Sequence, residues 1–456
     1  MTNGCKKLLN VVASAGIALC ASGCATAEAE KVTKTQPNVV LLFVDDLGWG
    51  DINYTTPKDL IPNIERLSQE SMTFTDAYAA APTCSPSRAS VVTGKHPARL
   101  GVVRHIKHSN TEYHVVPTDP AQLQSRNWLP DNTTTYAHGI KPFGYKTMFI
   151  GKWHLGNEKY YPIHFGFDEQ KDVTDFGSPR SYYLPYFRGK KLKEFNNLPK
   201  DKYLTDHLTG DAVAYIKDQD GKKPFQLTLF YYGVHSPYVG RKDLMKKIQK
   251  QYPKYEGKSL ERVAMIAAID ESVGQIRQTL KQRGLADNTM LLFVGGQGGP
   301  MANDPLRGGK KTGALYEGGG RIPFLVHWKH VIKPGTNAQP VSTVDIFPTI
   351  VEAVGGKVSE ELVLDGESLM PVMTENAKLD RKEIILYCSY VDQYAYIRSG
   401  DWKMIAYRSG IMELFNLKDD LSEKVELSAQ KPEIVQGLKA RLFAWEKKMN
   451  VDKVSG

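Results

Sequence analysis

Asn38-Val39-Val40-Leu41-Leu42-Phe43-Val44 is a continuous apolar, β-branched run that stops abruptly at Asp45-Asp46-Leu47-Gly48. An unbroken run of this kind is the pattern of a strand buried on both faces, as in a parallel sheet covered by helices. Three later segments repeat the scheme. Thr147-Met148-Phe149-Ile150 runs into Gly151-Lys152-Trp153-His154, Phe225 to Tyr232 runs into Gly233-Val234-His235-Ser236-Pro237, and Met290 to Val294 runs into Gly295-Gly296-Gln297-Gly298. In open parallel sheets, ligands bind outside the carboxyl ends of the strands. Four strand ends carrying Asp-Asp, Lys with His, His, and a glycine-rich loop are therefore expected to converge on one site.

Between the first two strands lies Cys84-Ser85-Pro86-Ser87-Arg88, with small residues continuing towards Gly94. Pro is tolerated in the first turn of a helix, so the stretch reads as a helix N-terminus with Cys84 at its mouth. Free backbone N–H groups there favour an anion. Ser259 to Arg283 carries Ile266, Ile269, Val273, Ile276 and Leu280 at helical spacing and reads as a core-facing helix with no functional burden. Beyond a boundary around 356–380, Ile384–Tyr390, Ala395–Arg398, Trp402–Tyr407 and Glu413–Leu417 read as short antiparallel strands. Pro432 then opens a closing helix with Val435, Leu438, Leu442, Trp445 and Met449 on one face. The expected fold is α/β, a large and mostly parallel sheet sandwiched by helices over 38–370, followed by a small α+β subdomain with an antiparallel sheet over 371–456.

The chain has 456 residues, 41% apolar and 24% charged, ordinary values for a globular protein with a sizeable core. Its net charge of +9 is scattered, without zinc-finger spacing or a basic block, so nothing points to nucleic acid. A mild positive balance suits an anionic substrate and equally suits a solvated surface. Lys6 and Lys7 precede an apolar run from Leu8 to Leu19 and then Ala21-Ser22-Gly23-Cys24, the layout of a signal segment over 1–24. It resembles a bacterial lipoprotein signal with Cys24 as the lipidated residue, and plain secretion stays open because Ala21 stands where leucine is preferred. Either route exports the protein from a bacterial cell, to the periplasm or to an outer-membrane anchor, and the only membrane contact expected is that lipid. Residues 25–37 read as a tether. Of five cysteines only Cys84 and Cys388 lie in the mature body, where a disulfide between them could form.

Taken together, the blocks around Cys84 resemble the signature of type I, formylglycine-dependent sulfatases of the alkaline-phosphatase-like superfamily. Asp45-Asp46-Leu47-Gly48, Gly151-Lys152-Trp153-His154-Leu155-Gly156, His235-Ser236-Pro237-Tyr238, Tyr316-Glu317-Gly318-Gly319-Gly320-Arg321, Arg398-Ser399-Gly400-Asp401-Trp402-Lys403 and Glu413-Leu414-Phe415-Asn416-Leu417 look like further family blocks in order. The resemblance implies that a formylglycine-generating or radical maturation enzyme oxidises Cys84 to formylglycine, and that a sulfate ester of a carbohydrate is hydrolysed. It further implies that Arg88 holds the modified side chain. Lys152 and either Lys310 or Lys311 would neutralise sulfate oxygens, with His154 and His235 as base and acid. Asp45, Asp46, residue 84 and Gln297 would hold a hard cation, Ca²⁺.

One departure stands out. The fourth strand usually ends in Ser-Asp-Asn-Gly or Ser-Asp-His-Gly, whereas this chain has Gly295-Gly296-Gln297-Gly298. Loss of that aspartate at Gly296 opens a second reading, an impaired homologue that binds sulfated glycans. A phosphatase with two zinc ions would need more Asp and His ligands at the strand ends. Substrate choice is expected to reside in the loops Val102–Asn132 and Pro179–Lys202. Tyr160, Tyr161, Tyr182 and Tyr183 could stack on sugars there, or simply pack.

Overall fold

The computed structural model describes residues 36–451 apart from 108, 116–122, 188–194, 196, 302 and 312. The 1–24 signal segment with Cys24, and most of the 25–37 tether, lie outside the described residues. So do parts of both loops assigned to substrate choice.

The four apolar runs form adjacent strands at the centre of an eight-stranded sheet. In spatial order the sheet runs Gly335–Asn337, Met72–Phe74, Phe324–His327, Thr289–Gly295, Asn38–Val44, Phe225–Phe230, Lys146–Lys152 and Glu169–Thr174. Asn38–Val44 pairs in parallel with Phe225–Phe230 on one side and with Thr289–Gly295 on the other. Lys146–Lys152 adds a further parallel strand. Phe324–His327 runs against its neighbours, so the sheet is mostly but not wholly parallel.

Side chains alternate between two cores across this sheet. Val39, Leu41 and Phe43 join one cluster, with Ala89 and Val92 of the Cys84–Thr93 helix and Phe347 and Ile350 of the Ile346–Ala353 helix. Val40, Leu42 and Val44 join the other, with residues of the Leu204–Lys217 and Gly257–Gln282 helices. Burial on both faces is why these strands read as unbroken apolar runs. Each buried aliphatic contributes about 1.5–3 kcal/mol.

Ile384–Tyr390, Gln393–Ser399, Trp402–Tyr407 and Met412–Asn416 form the C-terminal antiparallel meander. The Pro432–Met449 helix covers it, burying Leu438, Leu442 and Met449, with Val435 and Trp445 packed alongside. The Met370–Glu375 helix spans residues 370 and 371 and places Met370, Val372 and Met373 in the first core. No disulfide joins Cys84 to Cys388. Cys388 packs among Leu386, Tyr396 and Phe415 in the meander, so burial rather than oxidation accounts for it. Among the described residues no helix is long and apolar enough to cross a membrane.

Candidate active site

Parallel pairing in register puts four strand ends at one edge, since Phe43 lies opposite Phe230, Val44 opposite Gly295, and Gly151 opposite Phe230. Asp46 leaves its strand with φ 60° and His154 leaves its own with φ 53°, tight exits that turn both side chains out of the ladder. Gly151 adopts φ 95°, and a Cβ there would sit 2.3 Å from the Phe230 carbonyl, so only glycine fits beside Lys152.

The Cys84–Thr93 helix begins at this edge. Its N-cap Thr83 makes no side-chain capping bond, and Gly94 closes the helix in the left-handed region. Arg88 is fully buried one turn along. Its guanidinium donates to the Cys84 carbonyl at 3.2 Å, the Lys152 carbonyl at 3.3 Å and Asp45 at 3.4 Å, and lies 5.1 Å from the Phe43 ring centre. Its Nη2 has no hydrogen-bond partner.

Two lysines each take one carboxylate. Lys152, fully buried, pairs with Asp45, and the Lys310 ammonium donates to Asp46 at 2.7 and 2.9 Å. Lys310, not Lys311, enters the site; Lys311 has φ 81° and is exposed. Burial alone would push Asp45 up, but Arg88 and Lys152 hold it well below the usual carboxylate range. Burial would likewise raise the Cys84 thiol, yet Lys152 and Lys310 bring it below its ordinary value. Three cations thus face two carboxylates, leaving a positive surplus.

The histidines differ in setting. His154 is buried, and its Nε2–H donates to the Ile106 carbonyl at 3.1 Å, so the neutral ring carries its lone pair on Nδ1, which has no partner. Burial, then Lys152 and Arg88, hold its pKa well below the ordinary value. His235 is partly exposed, with Nδ1 2.6 Å from the Ser236 carbonyl and Nε2 3.7 Å from Asp46.

Asp45, Asp46 and His235 each offer a ligand atom within 4.8 Å of one another. Gln297 is fully buried among them; its Nε2 donates to Asp45 at 2.9 Å and also to Asp46, while its Oε1 is buried without a partner. Two carboxylates and an amide oxygen in need of a partner are an oxygen donor set suited to a hard divalent cation, so the residues present fit one. This set argues against an impaired site. The position left by Gly296 is filled: a Cβ there would meet the Phe43 ring at 3.0 Å.

Several supporting residues carried little signal in the sequence. Ser87 donates to the Gly296 carbonyl, joining the Cys84 helix to the glycine loop. Arg262, buried on the Gly257–Gln282 helix, pairs with Asp51 and donates to the Asp46 carbonyl at 2.7 Å. That helix does bear on the site, and a lone arginine among its apolar positions was the available clue. Tyr182 is fully buried and donates to the His235 carbonyl at 2.8 Å, which removes it from any sugar platform. Tyr160 stacks on Trp128 at 4.8 Å.

Comparison with known proteins agrees with this geometry. The family described as Sulfatase matches residues 37–356, and that described as N-sulphoglucosamine sulphohydrolase, C-terminal, matches 311–448. N-acetylgalactosamine-6-sulfatase of Mus musculus is 31% identical over 373 residues, 76% of this chain and 68% of its own length. A sulfatase of Formosa agariphila is 28% identical, covering 93% of this chain and 91% of its own. The crystal structure of Ps i-CgsB in complex with k-i-k-neocarrahexaose superposes with a TM-score of 0.78 at 28% identity, over 90% of this chain and 93% of that one.

Proposed function

The chain belongs to the formylglycine-dependent sulfatase family, and from that premise we propose that it hydrolyses sulfate esters of a carbohydrate and releases inorganic sulfate. The observation that carries this reading is the convergence of Cys84, Arg88, Lys152 and Lys310 on Asp45 and Asp46, with a histidine on either side. The saccharide in the neighbouring crystal structure and the aminosugar in the murine relative's name support a sulfated sugar.

Conversion of Cys84 to formylglycine by a maturation enzyme would supply a nucleophilic oxygen at this residue and a second oxygen through which sulfate is released. Asp45, Asp46, Gln297 and residue 84 would hold Ca²⁺, which adds positive charge at the sulfate oxygens. Arg88 fixes the backbone of residue 84 through the Cys84 carbonyl. Lys152 and Lys310 offset the charge of the sulfo group as it transfers, in a site where burial strengthens each interaction. His154, held neutral with a free lone pair on Nδ1, takes a proton. His235, with Nε2 facing Asp46, delivers one to the leaving oxygen.

Export through the 1–24 segment, with lipidation at Cys24, belongs to the same proposal, as does the division into a catalytic domain and a C-terminal subdomain. The test is protein co-expressed with a maturation enzyme and assayed by ion chromatography on sulfated mono- and oligosaccharides. Sulfate release is expected, together with an aldehyde in the peptide spanning Cys84. An aldehyde-bearing protein inert on all of them would refute the activity.

A further inference from the structure

Arg104 is only 9% exposed, yet among the described residues its guanidinium makes no hydrogen bond or ion pair with the protein. Its one side-chain contact of note is the Tyr390 ring, 4.7 Å from the guanidinium carbon. The stem is covered while the guanidinium nitrogens reach solvent, where they stay charged at any physiological pH. Such a group has five N–H donors left for a ligand.

The segment bearing Arg104 is fastened to the reaction centre. The Ile106 N–H donates to Ser85 Oγ at 2.9 Å, and the Ile106 carbonyl accepts from His154 at 3.1 Å. Arg104 is two residues before this clasp, about 7 Å of extended chain. Lys107, one residue after it, is exposed and also has no carboxylate partner among the described residues. Local electrostatics agree: desolvation, then Arg104 and, more weakly, Lys107 lower the pKa of the exposed His105.

Resting on the sulfatase reading, we propose that Arg104 and Lys107 form a subsite for a second anionic group on the saccharide, a sulfate ester or a carboxylate on an adjoining ring. The planar guanidinium can take either group through two parallel N–H···O bonds, and Tyr390 holds its plane. The enzyme is therefore selective for saccharides bearing at least two negative charges. Nothing in this subsite takes part in bond breaking; it positions the substrate.

The test compares the matured enzyme with Arg104→Met, which keeps the apolar stem over Tyr390, on three substrates. One is a singly sulfated sugar, one a disulfated oligosaccharide, and one a monosulfated oligosaccharide carrying a uronate. The wild type should prefer one of the doubly charged substrates, and which one identifies the anion. In Arg104→Met that preference should fall about tenfold or more, chiefly through KM, the size of a lost charge-assisted hydrogen bond. An equal loss on all three substrates, or an unchanged preference, overturns the subsite. Calorimetry of the same saccharides with protein still carrying the Cys84 thiol separates this from the activity. If the enzyme turns over nothing but Arg104→Met binds the doubly charged saccharide tenfold more weakly, the subsite stands and the activity falls. Equal binding by both proteins, or binding by neither, refutes the subsite.

Discussion

At the seam between the large sheet and the C-terminal meander, Glu317 accepts hydrogen bonds from Tyr78 at 2.8 Å, Arg321 at 2.8 Å and Lys403 at 2.9 Å. Lys403 also pairs with Glu423 at 2.9 Å, and Arg321 and Arg398 share Asp76. Three cationic groups thus meet three carboxyl groups. At the carboxyl edge of the sheet, Arg88, Lys152 and Lys310 meet only Asp45 and Asp46, and Arg88 Nη2, His154 Nδ1 and Gln297 Oε1 remain buried without partners. Both clusters are buried and ionic, and both hold polar atoms without a hydrogen-bond partner, Glu423 Oε1 and Tyr396 Oη at the seam. But cations and carboxyl groups are equal in number at the seam, while the edge has a surplus cation. Imbalance, rather than burial or charge alone, distinguishes a site awaiting an anion from a structural network.

That contrast can be broken by substitutions on each side. Cys84→Ala should reduce sulfate release to background while leaving the urea midpoint within error of the wild type. His235→Ala should lower kcat by about 10²–10⁴-fold, the usual worth of a general acid, measured on matured protein. At the seam the order reverses. Lys403→Met leaves Glu423 in the interior without a cation and removes one of the two cations on Glu317. It should cost about 3–5 kcal/mol in urea unfolding, with the activity per folded molecule retained. A Lys403→Met protein of normal stability would mean that the seam is not the fastening it resembles.

A third substitution probes the departure at Gly296. A Cβ there would sit 3.0 Å from the Phe43 ring, tighter than ordinary contact, and that ring has little room to give because it packs 4.5 Å from Phe230 and against Arg88. Gly296→Asp alone should destabilise by about 1–3 kcal/mol through overpacking. Adding Phe43→Leu should recover part of that loss, and chelator titration of the double variant should then show tighter metal retention. Equal retention in the double variant would mean that Gln297 already completes the donor set.

The last effect concerns pH. Burial lowers the His96 pKa from 6.5 to about 4. Between those values the unfolded chain binds a proton that the folded chain does not, so stability falls as pH drops from 6.5 towards 4. The contribution is full above 6.5, and each pH unit below it costs about 1.4 kcal/mol. Urea unfolding at pH 7, 6 and 5 should show this slope, reduced in His96→Gln.

Much of the fold was legible because the central strands are covered on both faces, which leaves apolar runs with polar residues only where the chain exits. The Cys84 helix, its position at the strand ends and the C-terminal meander were legible for similar local reasons. Lys310 and Lys311 were not separable, since adjacent residues in an irregular loop share no periodicity; the left-handed backbone at Lys311 settles which side chain turns inward. Arg262 was overlooked because a single polar residue hardly perturbs a helical apolar pattern. The seam motifs around Glu317 and Lys403 were visible as blocks but had no assignable partner, as the pair lies 86 residues apart in the chain.

By itself, then, the sequence determined which segments must be buried strands, where each one ends, and which reactive side chains stand at those ends, because local burial writes itself into local pattern. Only the tertiary structure decided which charges meet. It paired Lys152 with Asp45 and Lys310 with Asp46, filled the space beside Gly296 with Phe43, and left the Arg104 guanidinium near the centre without a carboxylate partner among the described residues. Those outcomes depend on strand order and on loop exits, and electrostatic pairing acts through space between residues that the chain itself keeps far apart.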